Sequence, residues 1–281
     1  MFEIYRKTLL AHLELILQEN FPKNESLRNV CHYALIPPGK LFRPLLTLCA
    51  YKDIYQLDPL INTSLLFTAL SFEIHHTYTL IHDDMPCMDN DDMRRNRPSV
   101  HKQFGEWMAL LAGDALLNIS YSLLAKHSGN LCYGMSKMCG PMGLIQGQFL
   151  DLEHERKNIQ ELDITLIDKI HCLKTARLIQ LSLMGCLFIN KQTKPKWKDF
   201  YALYKIGHYL GMYFQYNDDL LDFKQNPTLK DGHEYYINPF YKNYDLSLSK
   251  KNYYSEKLKE LLNHYSLFNL KKLIEDFQSA G

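Results

Sequence analysis

Glycine and proline are scarce in this chain, 13 and 11 of 281 residues, and they fall mainly between stretches of helical periodicity. That is too little turn chemistry for an all-β fold. The seven cysteines (31, 49, 87, 132, 139, 172, 186) include no CxxC pair, which argues against a disulfide framework and a structural zinc site. Reduced thiols predict a cytoplasmic protein. Neither sign of charge is in excess: 32 basic and 31 acidic residues leave a net +1, so no global field draws the chain to nucleic acid or anionic lipid. Long apolar runs are lacking too. A membrane span needs ~20 apolar residues, whereas the apolar windows are interrupted by Asp114 or are as short as 178–190. The first twenty residues carry Glu3, Arg6, Lys7 and Glu14 and read as an amphipathic helix, not a signal peptide. The expectation is a protein that inserts in no membrane.

What is present is helical. Hydrophobic residues make up 46%, and Tyr5, Leu9, Leu10, Leu13, Ile16 and Leu17 recur at spacings of three and four, the helical period. Similar patterns fill roughly 40–56, 62–84, 107–126, 131–155, 161–172, 175–190, 198–222 and 255–277. No Asn-Gly or Asp-Gly turn joins two strand-like windows. The spacing predicts an all-α fold of about ten helices, in a single domain over 1–281, with one long loop at 224–250.

An acid-rich segment occurs twice, at Asp83-Asp84-Met85-Pro86-Cys87-Met88-Asp89 and at Asp218-Asp219-Leu220-Leu221-Asp222. Both end strongly apolar helices. Asp218 and Asp222, four apart, share a helix face. Pro86 disturbs the last turn after Asp83, and the bend it makes can return Asp89 to Asp83. Carboxylates without clustered His or Cys select hard cations, Mg²⁺ above all. Because Mg²⁺ takes only one or two protein carboxylates and completes its shell with water and phosphate oxygens, two such walls read as a clamp for a polyphosphate. The bland alternative is two solvated acidic helix ends.

The cations that a diphosphate would need are also present. Arg94-Arg95 follows the first segment, with guanidinium forks suited to bidentate phosphate binding. Lys40 and Arg43 stand at a helix start, where free N–H groups favour anions. His76 lies two turns before Asp83 on one face. Lys174-Thr175 adds an ammonium and a hydroxyl. Singly, each reads as a surface feature or, for His76, as a core histidine.

With these residues in view, the chain resembles a short-chain trans-prenyl diphosphate synthase from about Pro37 to Asp231. Ile81 to Arg95 matches the family's first aspartate-rich motif almost residue for residue. Leu111-Ala112-Gly113-Asp114-Ala115-Leu116-Leu117 matches a further signature. Gly147-Gln148-Phe149-Leu150-Asp151-Leu152 resembles the mid-chain GQxxDL, and Phe214 to Asp222 the second aspartate-rich motif. The resemblance implies the isoprenoid synthase fold, a bundle around a deep central cavity, with three Mg²⁺ ions per site (Mn²⁺ as an alternative) and a homodimer. It implies that Asp83 and Asp89, with Asp84 supporting, hold two ions, and that Asp218, on the segment with Asp219 and Asp222, holds the third. Arg94, Lys174, Thr175 and Gln215 would contact an allylic diphosphate, dimethylallyl or geranyl. Lys40, Arg43, His76 and Arg95 would hold isopentenyl diphosphate.

The match is not complete. Pro38-Gly39-Lys40 stands for Gly-Gly-Lys, and Lys174-Thr175-Ala176 for Lys-Thr-Gly. Leu229 precedes Lys230-Asp231, and the Lys-containing segment usual further on is not recognisable in Glu234 to Pro239. For product length, Tyr78 and Thr79 lie five and four residues before Asp83, roughly 6–8 Å down the helix. An aromatic at the fifth position together with the insertion Pro86-Cys87 is the farnesyl-type (C15) pattern, with a C20 geranylgeranyl product as the alternative. Other readings are a class I terpene cyclase, which would not need Lys40, Arg43, His76 and Arg95, a non-catalytic subunit, which would be expected to lose an acidic motif, and a plain helical scaffold.

Overall fold

The structure is a computed structural model and describes residues 1–156, 163–190, 194–229, 235 and 237–279, without the side chain of Glu155. Lys230 and Asp231, with Glu234 and Tyr236 of the departing segment after them, lie outside the described residues. The described chain is helical throughout except for one small hairpin, so the all-α expectation holds. Chain contacts group it into two compact units.

The first unit comprises Met1–Cys132, Gly185–Lys194 and Leu273–Gly281. Its centre is α4 (Thr63–Asp83), packed along α6 (Glu106–His127). Asn62 starts α4 by accepting from Leu65 N at 3.1 Å, the usual satisfaction of an orphan N–H. Leu65, Leu66, Ala69, Leu70, Phe72 and Ile74 are buried around its girth, and α1 (Phe2–Asn20), α2 (Ser26–Leu35) and α3 (Phe42–Tyr55) complete the packing. One expectation needs correcting here. Over eighteen residues α6 reaches a mean hydropathy of 1.4 and is long and apolar enough to cross a bilayer, because a lone Asp114 does not offset the leucines around it. The helix instead lays Ala109, Ala112, Leu116 and Leu124 into the core.

The second unit comprises Tyr133–Met184 and Pro195–Lys272. The window 131–155 is two helices, α7 (Gly129–Met138) and α8 (Leu144–Arg156), broken by Gly140-Pro141. The windows 161–172 and 175–190 join without a break from Ile164 to Met184, though not uniformly. Helix α9 (Ile164–His171) passes through one turn of π-helix, Cys172–Ala176, into α10 (Arg177–Met184). Helix α11 (Trp197–Gln225) is the long element of this unit and packs on α10 and on the helix Tyr244–His264. Met212, Tyr216, Leu220, Phe240 and Tyr254 form the core between them. The long loop expected at 224–250 is shorter than predicted. Asn238 caps a turn of helix at Pro239–Lys242, and Asn243 caps the next helix by accepting from Leu246 N at 3.1 Å. Two asparagines read as loop residues are N-caps.

Candidate active site

Helix α4 delivers the first acidic segment. After Asp83 the chain turns at Pro86 and comes back, so that Asp89 N donates to Asp83 O at 2.8 Å. The bend inferred from the spacing is therefore present. Asp83 is half-buried and Asp89 exposed. Asp84 behaves differently. It is 2% exposed and accepts from Arg94 Nε at 2.9 Å, while Arg94 also donates to Asp91 at 2.8 Å. Burial pushes the Asp84 carboxyl up and the Arg94 guanidinium pulls it back. Asp84 thus anchors Arg94 beneath the segment.

The helix carrying Leu111–Leu117 explains why that signature sits beside Asp83. A Cβ on Gly113 would lie 2.1 Å from His82 Nε2, so a larger residue here would have to displace the His82 ring. His82 Nε2 reaches Leu110 O at 3.1 Å and Asp114 at 3.9 Å.

Arg94 and Arg95 lie on a hairpin that sequence patterning did not reveal. Strands β1 (Met93–Arg94) and β2 (Arg97–Pro98) pair antiparallel, and Arg95 and Asn96 both take positive φ, 54° and 61°. This is the two-residue primed loop favoured in hairpins, ordinarily filled by Asn-Gly. The loop brings Arg95 Nη2 to 3.9 Å from Glu73 Oε1 on α4. Burial drives His76 well below its usual range, with Arg43, Arg95, His75 and Arg94 adding to the effect. Arg43, His76 and Arg95 therefore form one electrostatic cluster, and His76 is neutral in it. Lys40 stands nearby in sequence, its Nζ 4.6 Å from the Phe277 ring.

In the second unit, the π-turn carries Lys174 and Thr175. Single π-turns of this kind are frequent at functional sites. A Cβ on Gly147 would lie 2.4 Å from Lys174 N, so α8 packs directly against the widened backbone. Lys174 is paired with the buried Asp151 of the GQxxDL segment. Thr175 donates to Gln215 Oε1 at 2.9 Å, and Gln215 Nε2 donates to Asp219 Oδ1 at 3.2 Å. His171 Nε2 lies 3.3 Å from Asp219 Oδ2, and Asn238 Nδ2 donates to Asp219 O at 2.7 Å. Burial lifts the Asp219 carboxyl well above its ordinary range and lowers His171 to about 4 against the pull of Asp151 and Asp168. Both shifts disfavour the charged forms at this contact. Asp218 and Asp222 are exposed on the same helix. A cavity of about 180 Å³ is lined by Asp151, His171, Lys174, Gln215, Asp219 and Asp222, among others.

Among the described residues, no group of three His, Cys, Asp or Glu side chains could hold a metal ion by itself. The exposed carboxylates Asp89, Asp218 and Asp222, with the half-buried Asp83, offer oxygen donors only. That fits Mg²⁺, which draws most of its shell from water and substrate oxygens. Sequence reasoning missed Glu73, His171 and Asn238, and quoted Asp151 without giving it a role. His171 is one helical turn before Lys174, a spacing that could have drawn notice; nothing in the sequence singled out Glu73 or Asn238.

A family model described as polyprenyl synthetase matches residues 24–232. The chain belongs to that family. It is 36% identical over 205 residues to a farnesyl diphosphate synthase of Geobacillus stearothermophilus, covering 70% of this chain and 66% of that one. It is 32% identical over 232 residues to geranylgeranyl pyrophosphate synthase 3 of Arabidopsis thaliana, covering 79% and 62%. The chain thus spans just under two thirds of the length of these relatives. Among solved structures, a geranyltransferase from Legionella pneumophila superposes with a TM-score of 0.85 at 27% identity, over 100% of this chain and 96% of that one. A Helicobacter pylori geranyltransferase complexed with magnesium and isoprenyl diphosphate gives 0.78 at 28% identity, over 98% and 97%. This family's isoprenoid synthase fold is the fold expected from the motifs.

Proposed function

We propose that the protein is a trans-prenyltransferase that joins isopentenyl diphosphate head-to-tail to dimethylallyl and geranyl diphosphate. The observation that carries this is the Arg43–His76–Arg95 cluster beside a second cation, Arg94, which is already engaged by Asp84 and Asp91. A chain with one diphosphate to bind has no use for a second cationic group. In this reading Asp83 and Asp89 hold two Mg²⁺ ions, and Asp218, with Asp222 beside it, a third. Bound there, Mg²⁺ neutralises charge developing on the leaving diphosphate. Arg94, oriented by Asp84, and Lys174, Thr175 and Gln215 bind the allylic diphosphate. Asp151 and Asp219 hold Lys174 and Gln215 in place. Lys40, Arg43, His76 and Arg95 bind the isopentenyl diphosphate, and a neutral His76 serves as a hydrogen-bond partner, not as a charge.

The allylic C–O bond breaks, the isopentenyl double bond attacks the allylic carbon, and a proton is lost. The departed diphosphate accepts that proton, so no histidine or glutamate base is required. The reading extends to a C15 product, with Tyr78 as the floor beneath Asp83 and Thr79 beside it; relatives named for C15 and C20 products occur together, so their names do not choose. It extends also to a homodimer and, since no disulfide joins the seven cysteines, to a cytoplasmic setting.

Product analysis with isopentenyl diphosphate and each allylic starter in turn tests the proposal. Mg²⁺-dependent consumption of isopentenyl diphosphate, abolished by EDTA and restored by Mg²⁺, is expected. Consumption of the allylic diphosphate alone would indicate a cyclase, and no consumption of either an inert subunit.

A further inference from the structure

Glu73 is a buried carboxylate that none of the steps above uses. It lies on α4 one turn before His76, 4% exposed, with Oε1 3.9 Å from Arg95 Nη2. Burial pushes its carboxyl up, and the charges that oppose this are Arg43 and Arg95. Arg95 is in turn held below its ordinary range by burial, against the attraction of Glu73. Desolvation therefore outweighs attraction for both partners. An ion pair that buries its carboxylate at a desolvation cost is weak support for stability, so its presence calls for another reason.

Two further observations converge on the same guanidinium. Arg95 adopts φ 54°, a left-handed conformation disfavoured for any residue with a Cβ. Such strain persists where the surroundings hold it, commonly at functional positions. Gly39, just before α3, lies so close that a Cβ there would sit 3.0 Å from Arg95 Nη2. The side chain is thus set by its turn, backed by Gly39 and faced by Glu73.

We propose that Glu73 is a positioning residue, holding Arg95 in one arrangement for the diphosphate of the homoallylic substrate. This rests on the reading of Arg43 and Arg95 as the isopentenyl diphosphate site. The rival explanation is that Glu73 only offsets their charge. The two differ in sign. With His76 neutral and Glu73 ionised, Glu73, Arg43 and Arg95 sum to one positive charge, and losing the carboxylate makes it two. If Glu73 merely offsets charge, its removal tightens diphosphate binding. If it orients the Arg95 guanidinium, removal weakens binding despite the added charge.

Glu73→Gln removes the charge at constant length, and Glu73→Asp keeps the charge but withdraws it by one methylene. In steady-state kinetics both variants are expected to raise the KM for isopentenyl diphosphate about tenfold, the loss expected of one charge-assisted contact. The KM for the allylic starter should stay within about twofold of wild type. An unchanged or lowered isopentenyl diphosphate KM overturns the proposal, as does an equal rise for both substrates. Calorimetric titration with inorganic pyrophosphate in EDTA separates this from the catalytic reading. If wild type turns over no isopentenyl diphosphate, that reading fails, and weaker pyrophosphate binding by the variants still supports Glu73 as the organiser of an anion site. Equal or tighter binding, or no binding by wild type, sinks it. Should Glu73→Gln not fold by circular dichroism, Glu73→Asp decides the question by the same criteria.

Discussion

Tyr78 is 6% exposed, its ring edge-on to His75 at 4.6 Å and to His82 at 5.7 Å. A ring so held is a rigid obstacle, whereas Thr79 turns its hydroxyl back to His76 O at 2.8 Å and offers little bulk. Tyr78→Ala should lengthen the product from C15 toward C20, read by mass spectrometry of the dephosphorylated prenols; an unchanged distribution would remove Tyr78 from the floor. The same change should cost about 3 kcal/mol of stability, so the assay belongs at low temperature. His75 yields a second prediction. Burial, with Arg43 adding to it, lowers the imidazole to about 3, and it sits 3.2 Å from Ser120 Oγ. The unfolded chain takes up this proton near 6.5 and the folded chain does not, so the stability is whole above pH 6.5 and drains away as pH falls toward 3. Urea unfolding of wild type should weaken below pH 6.5 by about 1.4 kcal/mol per unit more than that of His75→Gln; parallel slopes would refute it.

At the scale of elements, the motifs turn out to be contacts between helices as much as binding residues. Gly113 lets α6 meet His82, and Gly147 lets α8 meet the π-turn at Lys174. Gly147→Ala must push the Lys174 backbone aside. We expect a loss of about 1–3 kcal/mol from overpacking and a kcat reduced more than either KM; a crystal structure of the variant with the π-turn intact and full activity would contradict this. The helices were legible because α4, α6 and α11 carry long 3.6-residue periodicity. The hairpin at 93–98 was not, since two-residue strands have no period to read and Arg95-Asn96 lacks the glycine that marks a primed turn. The helices flanking Asn238 and Asn243 were missed for a related reason. Asparagine is equally at home in loops and at N-caps, and only the hydrogen bond to the next turn distinguishes them.

At the scale of the molecule, the face of α6 turned from its core shows Trp107 at 65% exposed, with Leu110 and Leu111 also exposed. Trp107, Leu110 and Leu111 stand at i, i+3 and i+4, one face of the helix, and we propose this face as the dimer contact. In a homodimer a self-complementary patch meets its copy. Light scattering after size exclusion should return twice the 33.0 kDa chain mass, and Leu110→Glu combined with Leu111→Lys should return one; a wild-type monomer would end the dimer proposal.

The sequence by itself determined the helical class, the two aspartate segments, the return of Asp89 to Asp83 and the family. These follow from local spacing, which survives in a one-dimensional string. Only the tertiary structure decided that Asp84 is engaged by Arg94, that Asp219 is buried beside His171, and that Glu73 faces Arg95. Each depends on which side of a helix meets a distant segment and on how much water is left there. Burial and long-range electrostatics are properties of packed neighbours, and no spacing of residues along the chain encodes them directly.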